Sequence, residues 1–274
     1  MVSDVKLKEL EEMAKQVRRN IVTCVGTECP GHLGGSMSSA DLVTALYFYK
    51  MKYDPKDESR DRFILSKGHV AILQYAALAE LGVVPKEELK NTKTIGCTIF
   101  QGHPDKLKTP GIEAGTGSLG QGLSVAVGMA IANKIDKNGN RVYALCGDGE
   151  SEEGLVWEAI MAARHYKLDN FCAIFDSNGL QIDGNVDDVV GPLNLVEKAK
   201  AFGCNVVECD GNDFDSLAQA FKNARDTKEV PTVIVAKTIK GKGVSFMEGN
   251  YGWHGKAPSD EEYAIAMEDL KEAK

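Results

Sequence analysis

Nothing in this sequence of 274 residues approaches the roughly 20 consecutive apolar residues that span a bilayer, and the first residues carry no apolar leader. Basic charge is also short: 32 Lys and Arg face 40 Asp and Glu, a formal net charge of −8, which argues against nucleic acid or an anionic membrane as a partner. An anionic small substrate is not excluded, because local Lys, His and backbone dipoles outweigh distant charges. The seven cysteines include no C-x-x-C, and the pairs Cys24/Cys29 and Cys204/Cys209 are spaced too widely for the usual zinc ligands. An odd number of thiols fits a reducing compartment, so a cytoplasmic protein is expected. There is no Gly-x-Ser-x-Gly elbow, and Lys240-Gly241-Lys242 lacks the upstream glycine spacing of a phosphate-binding P-loop. Gly115, Gly117 and Gly120 spell a dinucleotide fingerprint, yet no apolar strand precedes them. Repeats, low-complexity tracts and linkers are missing too, so one α/β domain over residues 1–274 is expected.

What is present is organised around Arg141 to Gly184. Val142, Ala144, Leu145 and Cys146 form a short apolar run that stops at Gly147-Asp148-Gly149, and Phe171 to Phe175 form a second that stops at Asp176-Ser177-Asn178. Between them Leu155, Trp157, Ile160, Met161 and Ala163 recur at helical spacing. Asp148 and Asn178 are about 30 residues apart, the usual length of a βαβ crossover, which puts both at the carboxyl ends of adjacent parallel strands. The Asp148 carboxylate, the Asn178 amide oxygen and the Leu180 carbonyl just beyond offer three hard oxygens, which suit Mg²⁺ or Ca²⁺ rather than zinc. Gly147 and Gly149 remove side chains where a diphosphate would approach, and the helix start that follows directs N–H groups at it. A bare GDG fits equally a βα turn whose Asp caps a helix.

Elsewhere the pattern predicts helices over Val5 to Cys24, Ser39 to Tyr49, Val70 to Leu81, from Pro85, over Gln121 to Asn133, Leu195 to Ala201, Asp213 to Asp226 and Ser259 to Lys274. Strands are expected at Arg62 to Ser66, Asn205 to Cys209 and Thr232 to Lys237. The alternation predicts an α/β fold with a doubly wound, mainly parallel sheet flanked by helices. Cys29 to Ser36 reads as a loop too rich in glycine for regular structure, and Thr94 to Gly120 as a long loop, of a length usually functional or mobile. Four of the five histidines sit beside glycine in such loops: His32, His69, His103 and His254. Any one alone reads as an ordinary loop residue, but four point to a shared site that needs donors, acceptors and proton carriers near neutral pH. His165, inside a predicted helix, reads as structural.

The GDG, Glu153-Gly154 and Asn178 spacing resembles the thiamine diphosphate signature, and DSNGLQIDG at 176–184 is similar to the transketolase branch of that superfamily. Each histidine loop resembles transketolases as well: PGHLGG, DRFILSKGH, GHP, TGSLGQG and the late HG. The resemblance implies Asp148, Asn178 and Leu180 as metal ligands, and His69, Gly117, Ser118, Leu119, Asp148, Gly149, Glu153, Asn178 and His254 as cofactor contacts. Glu153 would belong to a network linking paired cofactor sites. His32, His103 and His254 would face the sugar as catalytic residues. Leu33 and Ser118 stand where transketolases commonly have proline, which bears on sugar preference rather than on the cofactor.

The resemblance covers only the N-terminal, diphosphate-binding part of a full-length transketolase, and no segment is left for the pyrimidine-binding domain. It therefore implies the N-terminal subunit of a split, cytoplasmic transketolase, joined in an α2β2 assembly by a C-terminal pyrimidine-binding subunit. The implied reaction moves a two-carbon ketol unit between sugar phosphates with thiamine diphosphate and Mg²⁺ or Ca²⁺, as in the pentose phosphate pathway. A thiamine-dependent 2-oxo acid dehydrogenase α-subunit would also carry GDG and Asn, but not the GHP and TGSLGQG loops. Deoxyxylulose phosphate synthase shares some wording but is normally a single longer chain. A non-catalytic cofactor-binding regulatory subunit would have no use for the histidine set.

Overall fold

The computed structural model describes residues 2–191 and 194–271. In chain order the elements are α1 (Asp4–Val25), α2 (Leu33–Ser38), α3 (Ala40–Ala45), β1 (Arg62–Leu65), α4 (Ala71–Glu80), α5 (Gln121–Asp136), β2 (Val142–Gly147), α6 (Gly154–His165) and β3 (Phe171–Ser177). A two-residue hairpin, β4 (Leu180–Gln181) and β5 (Gly184–Asn185), follows, then α7 (Val186–Val189), α8 (Leu195–Ala201), β6 (Asn205–Asp210), α9 (Phe214–Asp226), β7 (Thr232–Lys237) and α10 (Asp260–Asp269). The main sheet is wholly parallel, in the order β1-β2-β3-β7-β6, so the α/β doubly wound reading holds.

Both faces of the sheet are covered, which is why its strands read as apolar runs rather than as alternation. On one face α1, α4 and α9 pack with Phe63, Tyr143, Leu145, Ile174 and Ile234; on the other α5, α6 and α8 pack with Ile64, Ala144, Cys146, Phe175 and Val235. The chain leaving β1 enters α4 on the first face, and the chain leaving β7 joins that face through Val244, Met247 and α10. The chain leaving β2 and β3 goes to α6 and α8 on the second. Neighbouring strands thus part to opposite faces twice, between β1 and β2 and between β3 and β7. Such switch points open crevices at the carboxyl edge, where α/β sheets bind ligands.

Helix starts obey local chemistry: the side chains of Ser3 and Asp213 accept from the N–H of Lys6 and Ser216, and Ser259 with Glu262 forms a capping box. The long 94–120 segment contains no helix or strand and is pinned instead, with Thr116 Oγ1 donating to Leu65 O at 2.7 Å. Glu150, almost fully buried, joins three loops: it accepts from Ser66 Oγ (2.5 Å), Gly120 N (2.9 Å) and Gly147 N (3.0 Å).

Four expectations need correction. The glycine-rich stretch after His32 is helical over Leu33–Ser38. Its glycines serve close packing, since a Cβ on Gly34 would lie 3.0 Å from Lys240 Cγ and from Trp253 O. The helix expected to Tyr49 ends at Ala45 and passes into a π turn, and the one expected from Pro85 is a 3₁₀ segment, Lys86–Asn91. The last helix runs Asp260–Asp269, and residues 272–274 of its expected span lie outside the described residues.

Candidate active site

The carboxyl ends of β1, β2, β3 and β7 deliver the polar residues of one cavity of about 380 Å³, lined by His32, His69, Gly117, Leu119, Gly149, Glu152, Glu153, Gln181, Ile182 and His254. β2 and β3 are in register from Val142↔Phe171 to Gly147↔Asp176, so Asp148 and Asn178 emerge side by side. Asp148 is buried; its Oδ1 accepts from Gly149 N (2.9 Å) and its Oδ2 from Gly179 N (2.6 Å), which draws the turn after β3 onto the GDG turn. Asn178 Oδ1 accepts from Leu180 N (3.1 Å), and its Nδ2 donates to Asp176 Oδ2 (3.1 Å). Burial, then the nearby Asp176 charge, pushes the Asp148 carboxyl up to about 6.

Lys240 is 2% exposed. Its ammonium donates to Leu180 O at 3.1 Å and lies 3.1 Å from His254 Nδ1. Because an ammonium only donates, His254 Nδ1 is the acceptor and its proton resides on Nε2. Neither partner is an anion, and burial followed by the Lys67 charge lowers Lys240 to about 8. A buried cation whose partners are neutral still lacks an anion, which suits it to receive a phosphate.

Three of the four loop histidines meet. Ring centroids of His32 and His69 are 5.0 Å apart, His32 and His254 5.3 Å, and His69 and His254 5.2 Å. Burial is the main cause that depresses each: His32 to about 4, with Lys93 and His103 adding; His254 to about 3, with Lys240 adding; His69 to about 2, with Lys67 adding. All three are neutral imidazoles at pH 7. His103 is exposed and lines a neighbouring cleft of about 680 Å³ with Gln101, Lys106, Ser118 and Gln121. Gly117 divides the two spaces: a Cβ there would lie 2.6 Å from His103 Cδ2. Ser118 faces this second cleft, where its Oγ accepts from Gln121 Nε2 at 3.1 Å. Glu153 is exposed at the rim, next to the start of α6. His165 ends α6 against Tyr166.

Sequence reasoning missed Lys240, set aside there with its P-loop wording, and the buried Lys67–Asp176 pair (2.5 Å). Burial works to raise Asp176, but the charge and hydrogen bond of Lys67 and bonds from Ser38 and Thr238 hold it below the ordinary carboxylate range. A lysine closing an apolar strand, as Lys67 closes Phe63-Ile64-Leu65-Ser66, was the available signal.

The edge crevices, the GDG turn and the buried cation define a thiamine diphosphate-binding domain of the α/β class. Residues 10–271 match the family described as "Transketolase, thiamine diphosphate binding domain", and the chain belongs to it. It is 43% identical over 268 residues to an apulose-4-phosphate transketolase subunit of Actinobacillus succinogenes, covering 96% of each chain. To the 6-deoxy-6-sulfo-D-fructose transketolase subunit SqwG of Clostridium sp. it is 41% identical over 267 residues, again 96% of each. The transketolase structure from Campylobacter jejuni matches with a TM-score of 0.88 and 33% identity, over 96% of this chain and 43% of that one. The chain thus spans about two fifths of the solved transketolases it resembles.

The residues fit the cofactor. Asp148, Asn178 Oδ1 and Leu180 O are the oxygens that would hold its cation, and among the described residues no three His, Cys, Asp or Glu cluster as a self-sufficient metal cage. A cation held by so few protein ligands shares its shell with phosphate. No described helix is long and apolar enough to cross a membrane.

Proposed function

We propose that this chain is the diphosphate-anchoring half of a split transketolase and turns over only with a separate pyrimidine-binding subunit, in an α2β2 assembly in the cytoplasm. The observation that carries the reading is the three neutral imidazoles packed together beside Lys240 and the Asp148/Asn178/Leu180 oxygens. Asp148, Asn178 and Leu180 O hold Mg²⁺ or Ca²⁺; Lys240, His69, Gly117, Leu119 and Gly149 receive the diphosphate end. Thiamine diphosphate, when bound, supplies the carbanion chemistry that opens a ketose next to its carbonyl. His254 presents Nε2–H to the oxygen that gains charge, because Lys240 holds its Nδ1. His32, neutral and in contact with both His69 and His254, takes or returns the hydroxyl proton at that oxygen. His103, across Gly117 from them, holds hydroxyls further along the sugar, with Ser118 in the same cleft. Glu153, exposed in the cavity lining, is accessible to a partner that would complete the site.

The substrate class follows the relatives' names, which carry an anion at the far end of the sugar: apulose 4-phosphate and 6-deoxy-6-sulfofructose. Lys93, whose ammonium donates to Pro30 O, places a positive charge near His32 that would attract such a tail. The test is ketol transfer from xylulose 5-phosphate, apulose 4-phosphate and 6-deoxy-6-sulfofructose to ribose 5-phosphate or glyceraldehyde 3-phosphate, with thiamine diphosphate and Mg²⁺. The pure chain is compared with the complex it pulls from its native extract. Activity confined to the complex supports the split reading; activity of the pure chain refutes it. Decarboxylation of pyruvate with no ketol transfer would transfer the protein to the 2-oxo acid class.

A further inference from the structure

Lys67 and Asp176 form the most deeply buried ion pair among the described residues, 2% and 0% exposed at the side chain, yet neither belongs to the hard-oxygen set. We propose that this pair is a positioning device that fixes the Asn178 amide with its oxygen toward the cation. The inference rests on Asp148, Asn178 and Leu180 being the cation ligands.

The Asp176 carboxylate collects donors from four segments. Its Oδ2 accepts from Lys67 Nζ (2.5 Å), Ser38 Oγ (2.6 Å) and Asn178 Nδ2 (3.1 Å), and its Oδ1 from Thr238 Oγ1. These come from the end of β1, α2, the turn after β3 and the turn after β7, the elements that surround the cavity. The remaining Lys67 protons go to Ser39 Oγ (2.8 Å) and Gly35 O (3.0 Å), so this ammonium is fully used and takes no part in holding an anion. An ionised carboxylate only accepts, so the amide touching it must present its NH₂. Rotating Asn178 by half a turn would set its oxygen against that carboxylate. The oxygen is therefore held on the other side, where it accepts from Leu180 N. Stability is a weak account of the pair, since an apolar pair of equal volume commonly does as well in a core. Orientation is what an apolar pair would not supply. Lys67 also neutralises Asp176, so that Asp148 alone offers the cation a free carboxylate.

The test titrates Mg²⁺ by calorimetry into the intact complex with thiamine diphosphate present, and melts the metal-free complex in parallel. Asp176→Asn is expected to lower Mg²⁺ affinity by about tenfold or more; the midpoint of the metal-free protein falls as well, because the Lys67 ammonium is left buried without its anion, so the comparison across backgrounds is what isolates positioning. In an Asn178→Asp background, where either side-chain oxygen serves, Asp176→Asn is expected to have no further effect on Mg²⁺ affinity. Affinity within about twofold of the parent, or an equal loss in both backgrounds, overturns the proposal. Should Asp176→Asn fail to fold, Ser38→Ala and Thr238→Val each remove one donor; a several-fold loss of Mg²⁺ affinity supports the proposal, and unchanged affinity in both overturns it. A parent complex that binds no thiamine diphosphate with Mg²⁺ overturns the cofactor reading itself, and the proposal with it. Normal binding by the parent with an unaffected Asp176→Asn overturns the positioning role alone.

Discussion

Lys240→Met should move stability and cofactor binding in opposite directions. Lys240 is 2% exposed and its hydrogen-bonding partners are a carbonyl and an imidazole nitrogen. Burial, with Lys67 adding, takes it from 10.5 to about 8, which at pH 7 corresponds to a penalty of about 3 kcal/mol on the charged form. The sign follows from linkage: the unfolded chain holds this proton more tightly, so the penalty is complete below pH 8 and fades as the pH rises toward 10.5. Methionine has similar length and no charge. It leaves Leu180 O without its donor, a loss of about 1 kcal/mol, so a net gain of about 2 kcal/mol remains, or a rise of about 5 °C in the midpoint of the cofactor-free chain. Thiamine diphosphate loses one ammonium-to-phosphate attraction, about 4 kcal/mol at 4 Å and an effective dielectric of about 20, close to a thousandfold in affinity. Differential scanning at pH 7 and pH 10 reads the first effect and calorimetry with Mg²⁺ the second. A cofactor-free variant that melts below the parent at pH 7, or cofactor affinity within about threefold of it, would refute the receptor role of Lys240.

Asp148→Ala should abolish metal-dependent cofactor binding, and undiminished binding by calorimetry would remove Asp148 from the site. Because burial and Asp176 push the Asp148 carboxyl up to about 6, cation binding should weaken about tenfold for each pH unit below 6 and level off above 7. The metal-free chain should show the converse: the stability this carboxyl contributes is complete below its ordinary range and lost as pH rises through 6, so added Mg²⁺ stabilises most at neutral pH. His254→Ala should lower kcat about a hundredfold or more with cofactor affinity little changed; steady-state kinetics showing the reverse would take His254 out of proton handling. Gly68→Ala would put a Cβ 2.7 Å from Gly117 N and from Thr116 C, so the 116–117 backbone must shift, with a stability loss of about 1–3 kcal/mol by denaturant titration; a neutral substitution would show that the loop yields freely.

The central βαβ unit was legible because its signals are local. An apolar run ending in GDG and another ending in Asn178 state both the strands and the edge at which they finish. The sheet order was not legible: β3 pairs with β7 rather than with β6, and nothing in either strand's composition says so. Gly34 and Gly35 misled because glycine serves two ends, freedom in a loop and closeness in a packed helix, and composition does not separate them. The same limit hid Lys240, whose meaning lies in its burial and in two contacts 14 and 60 residues away in sequence. Lys67 and Asp176 hid for a related reason, since a charge at the end of a strand is ordinarily solvated and only the fold closes water out.

Desolvation sorts the cavity's groups by the chemistry each can then do. The same burial lowers every base in it, yet the outcome differs because the starting points differ. An imidazole taken down to about 4, 3 or 2 is neutral at pH 7 and becomes a hydrogen-bonding group with one donor and one acceptor. An ammonium taken down to about 8 still carries its charge at pH 7. Lys240 is also the more deeply buried, while His32, His69 and His254 keep partial access to solvent. Fixed charge is thus stored behind the lining, against His254, and proton-carrying neutral groups are in the lining itself. That order matches a cofactor entering diphosphate first, with the carbonyl of a separate sugar ligand left among the imidazoles. Holding the diphosphate at the opening instead would need the opposite order, with the histidines charged. Phosphate competition reads the difference: inorganic diphosphate should compete with thiamine diphosphate, and Lys240→Met, but not His32→Ala, should abolish that competition.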